Sequence, residues 1–231
     1  MKTTLLFSAI SLASISLLAA DTADEVKAAA KKLSSKDNYS WTTIIKIPEG
    51  SGGNFRPGPT DGKTEKDGYT ILTTTRGDNT IVAVLKGANG AAKYEGEWKT
   101  LDEWAEQGQG AQFIARRLKS FKAPAVEAQE ISGQVKELKK ENDVYSGELT
   151  EEGAKQLLSF RGGQASSAKD AKGTAKFWIK DGQLSKYEYH VQGTMNFNGE
   201  DRDIDRTTTT EIKEVGSTKV EVPDGAKKKL S

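Results

Sequence analysis

The 231-residue chain carries 34 basic and 33 acidic side chains, one histidine and no cysteine. The missing cysteines exclude disulfides, thiolate metal sites and a cysteine nucleophile, and a lone histidine excludes any site built on two. A formal charge of +1 offers no overall attraction for nucleic acid, so no nucleic-acid partner is expected.

Lys2, an apolar run over residues 5–18 and the small Ala19-Ala20 ahead of Asp21 have the layout of a secretory signal peptide. Residues 1–20 are therefore read as a cleaved leader and residues 21–231 as a single domain. Removing Lys2 leaves 33 basic residues against 33 acidic ones. No cysteine follows the apolar run to carry a lipid, and no later segment is apolar enough to span a bilayer. The mature chain is expected to be periplasmic or secreted, with no stable membrane anchor.

Residues 21–36 read as a helix, with Thr22 and Glu25 as capping box and Val26, Ala29, Ala30 and Leu33 as its apolar stripe. The period then changes to two over residues 39–47, which places Tyr39, Trp41, Thr43, Ile45 and Ile47 on one strand face. Residues 48–62 hold five glycines and three prolines and read as a long loop. Residues 69–76 and 79–86 form an expected hairpin around Gly77-Asp78, followed by a short strand over 91–95.

The middle is helical. Thr100 and Glu103 repeat the capping box, Ala111, Ile114, Ala115 and Leu118 form a stripe, and Pro124 opens a helix to about Ser132. Strands are expected over 135–140 and 144–149, then a helix capped by Thr150 and stopped at Gly162-Gly163. In the last third, 172–180 and 184–195 flank Asp181-Gly182, 204–214 follows Asn198-Gly199, and 220–222 precedes a short helix at Asp224. The sum is an α+β fold: a strongly curved antiparallel sheet of about ten strands, an incomplete β-barrel, with helices covering the concave face. Along 184–195, Tyr187, Tyr189 and Val191 alternate with Lys186, Glu188, His190 and Gln192, so one face is packed and the other wet.

The chemical motifs are weak. The segment from Gly58 to Thr64 resembles a phosphate loop but has Pro57 where the spacing needs glycine, so it reads as plain loop. Asp201, Asp203 and Asp205 alternate on one strand edge, yet Arg206 and Ile212 stand where a calcium loop needs glycine and glutamate. Cross-strand charge pairing is the better reading. His190 sits on a polar face with no G-x-S-x-G serine motif to activate. Arg76-Gly77-Asp78 reads as turn chemistry. No metal or cofactor is expected.

Aromatic residues carry more information. Trp41, Phe177, Tyr187 and Tyr189 lie in strands, and Trp104, Phe113 and Phe121 in the helical insertion. Either they form one core, or helices and sheet leave an apolar groove for a greasy ligand.

The order of elements, the first strand Tyr39-Ser40-Trp41-Thr42, the hairpin Phe177 to Leu184 and the terminal Val220 to Ala226 resemble the LolA/LppX-like superfamily of exported lipoprotein and lipid carriers. In detail the chain resembles uncharacterised exported bacterial proteins. The resemblance implies an incomplete barrel with a helical lid over an apolar concavity, and carriage of lipids or acyl chains without chemistry. This chain has Thr42 and Thr43 where the resemblance would place a lid-locking arginine.

The leading expectation is a non-enzymatic envelope carrier of a lipid or acyl chain, with ligand-facing Trp41, Ile45, Trp104, Phe113, Phe177 and Tyr189. One alternative is an envelope module that holds a protein partner and has no ligand cavity. Another is a hydrolase using two carboxylates.

Overall fold

In the computed structural model the described residues are 13–51, 57–76, 79–94, 96–159, 168–197 and 199–231. Most of the leader reading, Gly77-Asp78, Gly162-Gly163 and Asn198 lie outside them. Helix α1 (Ala13–Ser34) runs through the expected cleavage point between Ala20 and Asp21. Thr22 is therefore not an N-cap; instead its hydroxyl donates to Leu138 O at 2.8 Å. The expected stripe Val26, Ala29, Ala30 and Leu33 is buried throughout.

Strands β1 (Asn38–Lys46), β2 (Thr60–Glu65), β3 (Thr70–Arg76), β4 (Asn79–Lys86), β5 (Asn89–Tyr94) and β6 (Lys99–Thr100) form one meander. Helices α2 (Leu101–Ala105), α3 (Gln109–Lys119) and α4 (Pro124–Ser132) follow. A second meander contains β7 (Lys139–Glu141), β8 (Val144–Glu148), β9 (Lys169–Lys180), β10 (Gln183–Phe197) and β11 (Glu200–Lys213), with α5 (Glu151–Leu158) inserted and α6 (Asp224–Leu230) after it.

The first strand joins the last. β1 pairs antiparallel with β11, from Ser40↔Lys213 to Lys46↔Thr207, and welds the meanders into one eleven-stranded antiparallel sheet. β6 and β7 are its two ends, so the sheet is open and not closed into a barrel. The β9–β10 turn is the type its sequence demands: Asp181 and Gly182 both take positive φ, 53° and 68°.

Two strands were not foreseen, and one expected strand is absent. β2 occupies part of the presumed loop, and β6 is a two-residue edge. Residues 220–222 pair with no strand of the sheet. Pro223, not Asp224, is the N-cap of α6.

Helices α1 to α5 lie on one face. There Phe177, Tyr187, Val191, Leu184 and Tyr145 meet α1, α4 and α5, and bury almost completely. Val84 and Ala91 alternate with the inward Ala83 and Ala92, so they point to the opposite face. α6 packs at that end of the sheet, with Ala226 buried and Gly225 against Trp98.

Candidate functional site: a cleft between the sheet and α2–α3

The helix-covered face is read row by row from the register. One row runs Ile212–Trp41–Gly62–Leu72–Ala83–Ala92 across β11 and β1 to β5. Its small residues leave a furrow that the protein fills with its own rings. Trp41 lies over Gly62 and stacks on Phe121 with centroids 6.1 Å apart and planes at 12°. Trp104 closes the far end, its indole Nε1 donating to Ala92 O at 3.0 Å.

The neighbouring row is Tyr187–Thr210–Thr43–Thr60–Thr74–Ile81–Tyr94. Its threonines pair in the sheet direction: Thr43 with Thr210 and Thr60 with Thr74, each at 2.9 Å. Tyr187 OH donates to Glu127 Oε2 on α4 at 2.6 Å. Burial first, then the Glu127 carboxylate, drives the Tyr187 hydroxyl well above its ordinary pKa.

A cleft of about 580 Å³ opens where this row ends. Its floor is Ile81 and Tyr94, its wall Trp104, Ala111 and Ile114 from α2 and α3, and its rim Asn79, Glu97, Lys99 and Gln107. The wall is placed by local chemistry. Thr100 accepts from Glu103 N at 3.1 Å while Glu103 accepts from Thr100 N at 2.6 Å, a reciprocal cap that starts α2 and aims Trp104 inward. Lys229 of α6 reaches the same carboxylate at 2.8 Å. α3 is amphipathic but shallow: of its 11 residues only Ala115 is fully buried.

Deeper along β11, Arg206 is 5% exposed and its guanidinium donates to the Leu157 and Leu158 carbonyls. Those carbonyls end α5, so the cation sits at the negative end of that helix. Burial pulls the Arg206 pKa down. Next to it on the same face, Thr208 is 4% exposed and its hydroxyl has no hydrogen-bond partner among the described residues.

The six residues expected to face a ligand are dispersed over this surface. Trp104 lines the cleft. Ile45 is half-buried, opposite Thr208. Trp41 and Phe177 are buried in closed packing, Tyr189 is buried beside Thr208, and Phe113 lies on the outer side of α3, 47% exposed. Ile81, Tyr94 and Ile114 escaped the sequence reading because hairpin and helix patterns mark them as ordinary apolar positions. Asp205, in contrast, is as expected: it accepts from Gln192 at 2.6 Å and pairs with His190 at 2.9 Å on the wet face. Asp203 and Asp201 pair with Thr194 and Asn196 in the same way.

No protein-family model matches the chain, and no curated protein matches it. Solved structures do. The lipoprotein LppX of Mycobacterium tuberculosis superimposes with a TM-score of 0.52, covering 88% of this chain and 99% of LppX at 11% identity. The chain has the LppX-like fold. LprF of Mycobacterium bovis matches with a TM-score of 0.45 at 9% identity, covering 90% of this chain and 98% of LprF. The resemblance expected from the order of elements therefore holds as a likeness of fold. In this LppX-like sheet the cleft lies on the helix-covered face, at the β4–β5 end.

Proposed function

We propose that the chain is an exported, non-enzymatic carrier that holds a lipid or acyl chain in the cleft between β4–β5 and α2–α3. The observation that carries the reading is the cleft itself: about 580 Å³, with an apolar floor and wall, a polar rim and a shallow covering helix. The LppX-like fold supports it, as does the leader-like start of the sequence. Ile81, Tyr94, Trp104 and Ile114 would contact the chain, with Ile45 further along the same face. Each buried ligand methylene contributes roughly 0.8 kcal/mol.

Native mass spectrometry and lipid extraction of protein purified from its own host test this. Co-purified lipid, together with saturable uptake of a fluorescent fatty acid, is the expected result. A clean apo mass and no uptake overturn it. The rival reading, an envelope module holding a protein partner, draws support from the furrow that Trp41 and Phe121 already fill. It predicts partner capture by crosslinking that persists when the cleft is blocked by Ile114→Arg.

A further inference from the structure

The interior of the helix-covered face is not uniformly greasy, and its polarity is unevenly satisfied. Thr210 is bonded to Thr43, Thr60 to Thr74 and Thr64 to Thr70. Thr208 is the exception in that inward set: 96% buried by the 4% exposure that remains, with an orphaned hydroxyl. A buried hydroxyl without a partner is unfavourable, and a protein of this size retains few of them. Valine would fill the same volume without that cost.

Three neighbours define what would satisfy it. Ile45 lies across β1 and Tyr189 across β10, so the hydroxyl is flanked by an apolar side chain and a ring. Arg206, two residues along the same face, brings a guanidinium into the interior. A buried cation on the same face favours an oxygen with negative charge over a hydrogen-bond donor.

We propose that Thr208 is the polar anchor for the bound amphiphile, its hydroxyl donating to a carbonyl or carboxylate oxygen at the head of an acyl chain. This rests on the carrier reading and deepens it. The chain would run from Ile45 along the half-buried threonine row towards Ile81 and Ile114. Thr208 is covered in this structure, so the ligand's head enters by displacing cover. Among the helices over that face, α3, which buries only Ala115 fully, is the most easily lifted.

The test is competition against a fluorescent acyl probe by palmitic acid, methyl palmitate and cyclodextrin-delivered hexadecane, in the native protein, Thr208→Val and Thr208→Ser. Thr208→Val is expected to weaken palmitic acid about tenfold, a hydrogen bond's worth. It leaves hexadecane unchanged, and Thr208→Ser restores the native ratio. Methyl palmitate weakened equally identifies a carbonyl oxygen; methyl palmitate unaffected identifies the carboxylate. Equal effects of Thr208→Val on all three competitors, or none on any, overturn the anchor while leaving the carrier reading intact. Failure of the native protein to bind any of them removes both. Isotope-edited infrared spectroscopy of carbonyl-labelled palmitate gives a second readout on the native protein. The carbonyl band should fall in wavenumber on binding, and a band unshifted from hydrocarbon solvent overturns the proposal even if Thr208→Val does not fold.

Discussion

The indole of Trp41 lies flat over Gly62, its cross-strand partner on β2, so closely that a Cβ there would stand 2.1 Å from the ring. That contact seats the indole on β2 and closes one furrow of the helix-covered face. It also divides the face into a filled row and a half-open one, and the cleft opens at the end of the second.

Gly62→Ala should therefore expel the Trp41 ring from its seat against Phe121. Overpacking of this kind costs about 1–3 kcal/mol. Urea denaturation is expected to show the loss, accompanied by a red shift of tryptophan emission as the indole meets water.

Trp104→Phe keeps a ring in the cleft wall but deletes the bond from Nε1 to Ala92 O. The buried carbonyl loses a partner, and stability should fall by about 1–3 kcal/mol. Acyl-probe affinity should fall as well, because the wall is no longer pinned; equilibrium titration of the variant measures this.

Arg206→Met should loosen the end of α5. The substitution removes charged donors from the Leu157 and Leu158 carbonyls. Hydrogen bonds of that type are worth about 1.5–3 kcal/mol. Hydrogen exchange over residues 151–158 is expected to accelerate more than exchange in α4.

Alkaline unfolding should report Tyr39. Burial pushes its hydroxyl up to about 12, against an Ala125 backbone bond that pulls it down. The folded value lies above the unfolded value of about 10, so the neutral form contributes stability that is complete below about pH 10. That contribution, on the order of 2–3 kcal/mol, is lost as pH rises towards about 12. Urea midpoints measured from pH 9 to 12 should fall steeply in the native protein and less steeply in Tyr39→Phe.

α3 should exchange its amide hydrogens faster than α4. The first fully buries one residue, the second buries Pro124, Ala125, Ala128, Ile131 and Ser132. An acyl ligand in the cleft is expected to slow α3 selectively, since it would add apolar contacts to Ile114 and Ala111.

The helices and hairpins with strong local chemistry were legible from the chain alone. The α1 stripe, the Thr100–Glu103 and Thr150 caps, Pro124 at the start of α4 and the Asp181-Gly182 turn are all local, and local signals survive folding. β2 was not legible. Its glycine and flanking prolines read as loop, and only pairing with β1 on one side and β3 on the other makes it a strand. The strand expected over 220–222 shows the converse: its local pattern was adequate, but alternation along the chain does not by itself supply a pairing partner.

By itself the sequence determined the α+β class, the wet and packed faces of β10, the capped helices and an order of elements that resembles the LppX-like fold. These follow from periodicity and turn chemistry, which act over a few residues. The tertiary structure alone decided which aromatics fill the core, where the cleft opens and that Thr208 is buried without a partner. Those depend on the register of β1 with β11, which joins residues about 170 positions apart and sets every row across the sheet.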